Sequence, residues 1–120
     1  MTKIENPKQY DLEERTFEFA KRIRAFVNKL SKTITNIEDG KQLTNASGSV
    51  GANYIEANES LSKKDFVMRI KICRKEAKES RYWLRLVSVN NEMMRKEQES
   101  LIQEASELTK IFGSILEKSK

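Results

Sequence analysis

Five basic side chains recur at helical spacing in the second half of the chain, and residues of this type and spacing can bind phosphate. They follow one another in steps of three and four residues: Lys71, Arg74, Lys78, Arg81 and Arg85. At 100° per residue, such steps place all five on one face of an α-helix. Residues 63–85 include nine basic and three acidic side chains, so this segment carries +6 and the rest of the chain −1. Such a surface attracts phosphate backbones without reading sequence, in a strongly salt-dependent way.

A solvated helix face is the competing interpretation of the same basic residues. In that case some of the arginines would pair with Glu76, with Glu79 or with acidic residues of a neighbouring helix, as surface charges commonly do. Tyr82 stands beside the basic residues and is suited either to stacking on a nucleobase or to ordinary packing. The residues alone leave both interpretations open.

The same segment carries a second apolar stripe in addition to the one expected to face a core. Its members are Met68, Ile72, Trp83 and Leu86, on the side roughly opposite the first stripe. A helix at the edge of a monomeric bundle needs only one apolar stripe, and tryptophan is enriched at interface hot spots. We therefore predict an oligomer interface on these four residues. Deeper burial of the whole helix, or packing of Trp83 over a loop, would produce the same pattern.

The residue types needed for catalysis do not come together in this sequence. There is no histidine, which removes the commonest general base and the commonest neutral metal ligand. Glu56 with Glu59, and Glu76 with Glu79, have the spacing of one helical face but are better interpreted as partners for lysine and arginine. We predict no enzyme, no catalytic residue, no metal and no cofactor. The single cysteine, Cys73, is predicted to be a buried small hydrophobe.

Two of the four glycines stand three residues apart, in the segment SGSVGANYIEA. A phosphate-binding loop would need a strand before Gly48 and Gly51 and a lysine followed by serine or threonine after them, and both are missing. A Gly-x-x-Gly also occurs in one class of RNA-binding loop, in a mixed helix–sheet domain. Close packing of a neighbouring helix is the favoured interpretation of the pair.

The basic, apolar and glycine residues described above must be positioned by helices. The chain of 120 residues is 38% hydrophobic and 34% charged, with one proline, which is typical of a helical domain. Capping-box spacings at Asp11 with Glu14 and at Ser62 with Asp65 mark two helix starts. We predict helices over residues 11–35, from 37 or 39 to 60, from about 63, and after the break VNNE.

Each predicted helix has an apolar stripe in steps of three and four. The stripes comprise Ala20, Ile23, Val27, Leu30 and Ile34, widened by Phe19 and Phe26; Leu43, Ser47, Val50, Tyr54, Ala57 and Leu61; Phe66, Ile70, Cys73, Ala77, Leu84 and Val87; and Met94, Leu101, Ala105, Leu108, Phe112 and Ile115. Short connections make successive helices antiparallel. The fold class is therefore all-α, an antiparallel up-down-up-down four-helix bundle over residues 11–120, preceded by a flexible N-terminal arm over residues 1–10.

Several motifs, in order, resemble the four-helix bundle protein family that is also called the 23S ribosomal RNA intervening-sequence protein family. They are SVGANYIEA at residues 49–57, SKKDF at 62–66 and KEAKESRYWLRL at 75–86, with RTFEFAKRI in the first helix. The resemblance covers residues 12–90 well and the last helix loosely. One departure stands at Asn45, in QLTNAS, where the family commonly has a basic residue.

The resemblance implies a bacterial protein that forms a homopentamer. Relatives that serve as accessory proteins to the reverse transcriptase of diversity-generating retroelements resemble basic barrels that bind nucleic acid. RNA or DNA is therefore an expected partner, as is a reverse transcriptase or another protein. If the family's basic residue contacts a polyanion, Asn45 weakens that contact here.

Two functions follow as hypotheses. The first is a non-catalytic homo-oligomer that binds RNA or DNA through the basic residues from Lys71 to Arg85. The alternative is a structural or adaptor oligomer that binds a protein partner and has no nucleic-acid role. No apolar run approaches membrane-spanning length and the first residues lack a signal-peptide core, so we expect a cytoplasmic protein with no membrane partner.

Overall fold

The computed structural model describes residues 7–120, with side chains from Leu12 onward. It contains four helices and, within residues 7–120, no strand: α1 (Pro7–Asn28), α2 (Ile34–Asn58), α3 (Lys63–Leu86) and α4 (Glu92–Lys118). The predicted all-α class is confirmed. Residues 1–6, which make up most of the predicted arm, lie outside the described residues.

The boundaries of the first two helices differ from the prediction. Helix α1 begins at Pro7 rather than Asp11, so the Asp11–Glu14 spacing does not mark its start. It ends at Asn28 rather than Thr35. Directly after Asn28, the N–H groups of Lys29 and Leu30 donate to carbonyls three residues earlier in the chain instead of four. Thr33 then caps α2, because its hydroxyl accepts from the Asn36 N–H at 3.1 Å. Thr33, which the prediction placed inside the first helix, is therefore the N-cap of the second.

The start of α3 was predicted correctly. Ser62 is its N-cap, and the Ser62 hydroxyl accepts from the Asp65 N–H at 3.1 Å. The break at VNNE is also confirmed, because Asn91 caps α4 by accepting from the Met94 N–H at 2.8 Å. Both caps satisfy a backbone donor that the first turn of a helix leaves unpaired.

The contacts between helices are those of an up-down-up-down bundle. Helix α1 packs against α2 and α4, and α3 also packs against α2 and α4. Between the diagonal helices α2 and α4, the rings of Tyr54 and Phe112 meet in the core, with centroids 5.9 Å apart. The pairings run in opposite directions along the chain: Thr16 lies by Gly51 and Val27 by Gly40, while Arg15 meets Glu104. Helix α1 is therefore antiparallel to α2, and the contacts of Arg15 with Glu104 and of Arg22 with Glu97 make it antiparallel to α4 as well.

The apolar stripes form a single core. Most of the predicted members are buried, and the largest fully buried side chains include Phe19, Phe26 and Phe112. Two predictions are wrong: Ile34 is 83% exposed and Leu61 is 100% exposed. Both stand at helix boundaries, where the chain turns away before the stripe would have brought them to the core.

The glycine pair is explained by the α1–α2 contact. A Cβ on Gly51 would lie 2.9 Å from the Thr16 Oγ1, so the two helices approach closely only because residue 51 has no side chain. A Cβ on Gly48 would meet only the end of the flexible Arg24 side chain, at 3.1 Å. The packing interpretation is therefore confirmed most strongly at Gly51.

Candidate nucleic-acid interface

The five predicted basic residues lie on the side of α3 that faces away from the core. All five are exposed: Lys71, Arg74, Lys78, Arg81 and Arg85. The buried face of α3 carries Ile70, Cys73, Ala77, Ser80 and Leu84, and the basic residues lie beside it. The helical period thus separates a buried face, whose side chains are apolar or hydrogen-bonded, from a basic face on the same helix.

None of these five side chains is neutralised within the described part of the chain. No carboxylate of residues 12–120 comes within 4.0 Å of any of them; the ion pair that α3 does form joins Lys75 to Glu76 at 3.7 Å. The pairs with Glu76 or Glu79 that the solvated-face interpretation suggested for some arginines do not form, while the exposure of all five side chains agrees with both interpretations. Their charge is directed to solvent.

A shallow depression lies in the middle of this surface. It is lined by Lys71, Arg74, Lys75, Lys78, Glu79 and Tyr82. Three of the five predicted residues therefore converge here, together with Lys75, which the stripe omitted although it belongs to the same basic segment. Arg81 and Arg85 continue the basic face toward the end of α3 and do not line the depression. We call this depression and the five residues the basic face.

An apolar flank lies beside the basic face. Met68 is 51% exposed and Leu86 is 48% exposed, while Ile72 is half-buried. Trp83 is also half-buried and packs in part against the core. The free apolar surface of the predicted interface therefore comes mainly from Met68 and Leu86.

Neighbouring helices hold α3 in place through its polar positions. The Arg69 Nη1 donates to the Asn53 Oδ1 of α2 at 3.0 Å. The Gln98 Nε2 of α4 donates to the carbonyls of Leu84 and Val87 at 2.8 and 3.1 Å. These carbonyls belong to the end of α3, where a helix lacks its own donors. The helix that carries the basic face is thus hydrogen-bonded to α2 through Arg69 and to α4 at its C-terminal end.

A buried asparagine that the sequence reasoning did not single out fastens the loop after α3. The Asn36 side chain donates to the carbonyls of Ser31 and Ser88 and accepts from the Ser88 N–H at 2.9 Å. Ser88 lies 52 residues along the chain, so no local pattern predicts this contact. The bond between Asn53 and Arg69 joins α2 to α3, whereas the Glu56 side chain is exposed.

The cysteine is buried, as predicted. Burial raises the pKa of the Cys73 thiol to about 12, which keeps it protonated and unreactive at neutral pH. Among the described residues, no group of three or more potential metal-binding side chains comes together. No helix in the described range is long and apolar enough to cross a membrane.

The departure at Asn45 does not affect the depression on α3. Asn45 lines a different hollow, at the junction of α1 and α2, together with Ile37, Gly40 and Lys41. A neutral residue at this position therefore removes no charge from the depression formed by Lys71, Arg74, Lys75 and Lys78.

The helices and contacts define an all-α four-helix bundle whose positive charge is concentrated on one outer face. The chain belongs to the family of the 23S rRNA-intervening sequence protein, whose family model matches residues 8–114. The match reaches through most of α4, further than the motifs alone indicated. Among solved structures, the chain is similar to a protein of unknown function from the S23 ribosomal protein family of Bacteroides thetaiotaomicron, with 30% identity and a TM-score of 0.70. That similarity covers 87% of this chain and 96% of the other. None of the curated proteins compared with the chain matches it.

Proposed function

We propose that this protein is a non-catalytic binder of nucleic acid that uses the basic face of α3. The observation that carries the proposal is that Lys71, Arg74, Lys78, Arg81 and Arg85 are all exposed and lack carboxylate partners among residues 12–120. Like charges at three- and four-residue spacing repel one another. An arrangement that costs stability in the free protein is favourable once phosphates neutralise it.

The dimensions of the basic face suit a phosphate backbone. Lys71 and Arg85 are 14 residues apart on one uninterrupted helix, which is about 21 Å at a rise of 1.5 Å per residue. One strand of B-form DNA places a phosphate about every 3.4 Å along its axis. The five cations can therefore contact several successive phosphates, without any requirement for base sequence.

We also propose that the protein self-associates through the apolar flank. Met68 and Leu86 are half-exposed and 18 residues apart on α3, so the flank extends about 27 Å along the helix. The family resemblance implies five subunits. Repetition of the basic face around a ring would extend it into a continuous positive surface.

Charge reversal tests the nucleic-acid role. The variant Arg74→Glu/Lys78→Glu/Arg81→Glu should lose binding to a labelled mixed-sequence RNA, by at least 30-fold in Kd, because it removes three phosphate contacts and adds repulsion. The matched control is Lys29→Glu/Lys32→Glu/Lys96→Glu, which alters exposed lysines elsewhere. Both variants change the formal net charge from +5 to −1, so only the position of the charge differs.

The control should bind nearly as well as the wild type. Equal loss in both variants would mean that net charge, not the basic face, attracts RNA. A wild-type protein that binds neither RNA nor DNA at low salt would overturn the proposal and favour an adaptor that binds protein. Light scattering after size exclusion should show the same oligomer for all three proteins, and a monomer would exclude the ring.

A further inference from the structure

Tyr82 is the aromatic residue that lines the depression of the basic face. Its side chain is 55% exposed and lines the depression beside Lys78. The ring stands edge-to-face against Trp83, with centroids 5.0 Å apart and planes at 78°. Trp83 in turn packs against the core. The tyrosine ring is therefore partly exposed to solvent and at the same time in contact with a ring that packs against the core.

Cations surround this ring. Lys71, Arg74, Lys75 and Lys78 line the same depression as Tyr82, with Glu79 as the one acidic lining residue. A phosphate placed among the lysines and Arg74 would avoid the Glu79 carboxylate by lying on the Arg74 side. The base attached to that phosphate can reach the Tyr82 ring, because Arg74 and Tyr82 line the same depression.

An exposed aromatic ring among cations suits unpaired bases better than paired ones. In a duplex the base faces are stacked on one another and out of reach, so Tyr82 would gain nothing from it. Helix α3 also packs between α2 and α4, so only its outer arc is free to contact a ligand. In single strands every base offers a face, and stacking on an aromatic side chain tolerates any sequence.

We infer that the basic face selects single-stranded nucleic acid, with phosphates on the cations of the depression and an unpaired base stacked on Tyr82. This inference rests on the proposed function of the same face and specifies the class of its ligand. The exposed apolar surface of Met68 and Leu86 lies outside the lining of the depression.

The test compares a single-stranded 12-nucleotide DNA with the duplex of the same sequence, by fluorescence anisotropy at one low salt concentration. Tyr82→Leu retains apolar contact with Trp83 but has no planar face, and should weaken single-strand binding about 5- to 150-fold. Binding to the duplex should change less than twofold. Tyr82→Phe keeps the ring and should bind the single strand within about threefold of the wild type.

Phe17→Leu is the matched control. Phe17 is also 55% exposed and has a cation nearby, with the Lys21 Nζ 5.5 Å from its ring centroid, but it lies on α1. Its replacement should leave both affinities unchanged. Circular dichroism melting should show that all three variants fold.

The outcomes separate this inference from the proposed function. If charge reversal abolishes binding while Tyr82→Leu leaves single-strand affinity intact, or weakens single strand and duplex equally, the single-strand inference is overturned and the basic face stands. If charge reversal has no effect, the proposed function itself fails. Equal wild-type affinity for duplex and single strand would also overturn the inference.

Discussion

Two arginine-containing surfaces of this bundle use the same side chain in opposite ways. At the contact between α1 and α4, Arg15 donates to both Glu104 oxygens at 2.7 and 2.9 Å and to Glu107 at 2.7 Å. Arg22 donates to Ser100 at 2.8 Å and lies 3.4 Å from Glu97. On the basic face of α3, by contrast, the five cations have no carboxylate partner among residues 12–120.

The contrast shows that charge at the α1–α4 contact is structural, whereas charge on α3 is available to a ligand. A planar guanidinium that meets a carboxylate through two bonds is fixed in direction. The hydrogen bond with Glu104 raises the pKa of Arg15 further above its ordinary value, against the opposing effect of burial. Arginines paired in this way have few N–H groups left for a phosphate, while Arg74, Arg81 and Arg85 of the basic face have no carboxylate partner among residues 12–120.

Salt should separate the two surfaces most strongly. If all five cations of the basic face neutralise a phosphate of a single strand, raising salt from 50 to 200 mM should weaken binding about 100-fold. The unfolding midpoint should change little over the same range, because the partly buried α1–α4 pairs are screened less. Anisotropy titrations and thermal melts across the series check this, and salt-independent binding would contradict the phosphate role.

Removing one arginine from each surface should have different consequences for stability. Arg15→Met should lower the free energy of unfolding by about 1 to 2 kcal/mol, because Glu104, only 18% exposed, loses its partner. Arg74→Met should cost nothing measurable, since Arg74 has no partner to leave behind. Urea denaturation of both variants measures the difference.

A double variant sharpens this comparison. In the Arg15→Met background, Glu104→Gln should recover part of the loss by removing the unpaired charge, and the coupling follows from a double-mutant cycle. Equal destabilisation by Arg15→Met and Arg74→Met would show that the two surfaces do not differ in the way proposed.

The carboxylates of Glu76 and Glu107 should affect the free energy of unfolding in opposite directions at neutral pH. This is the smallest of the predicted effects. Burial, and then repulsion from Glu79, raises the pKa of Glu76 on α3. Hydrogen bonds from Gln103 and then Arg15 lower the pKa of Glu107 on α4. A raised carboxyl pKa means that ionised Glu76 opposes folding at neutral pH, and that this penalty disappears as pH falls through its folded pKa. A lowered pKa means that Glu107 contributes stability above its unfolded pKa and loses it as pH falls.

Glutamine substitutions measure these effects. Glu76→Gln should raise the free energy of unfolding at pH 7 by about 0.5 kcal/mol and have no effect near pH 3. Glu107→Gln should lower it at pH 7, and this loss should also vanish near pH 3. Effects of the same sign at pH 7 would contradict the assignment.

Local signals predicted the helices and most of their faces. The three- and four-residue stripes identified the buried side chains of α2, α3 and α4, and the Ser62 hydroxyl caps α3 as its spacing indicated. The signals failed at Asp11, Ile34 and Leu61, each at or near a helix end. At these positions the helical spacing in the sequence extends beyond the residue at which caps and turns redirect the chain.

Long-range polar contacts could not be predicted from the spacing of residues along the chain. Asn36 meets Ser88, 52 residues away, and Arg15 meets Glu104, 89 residues away. The exposed Arg74 and the paired Arg15 look alike as members of a basic helical face. Which of them finds a carboxylate depends on the register in which one helix packs against another, and no spacing within a helix encodes that register.

The amino-acid sequence by itself determined that the chain forms four helices with one buried face each, because helical period and backbone capping act over a few residues. It also determined that the net positive charge belongs to α3. The tertiary structure alone decided which charges are neutralised, which hydroxyls and amides fasten the loops, and that Lys75 and Tyr82 share a depression with Lys71, Arg74 and Lys78. The physical reason is that an ion pair needs two groups within about 4 Å, and only the packing of whole helices brings distant residues that close.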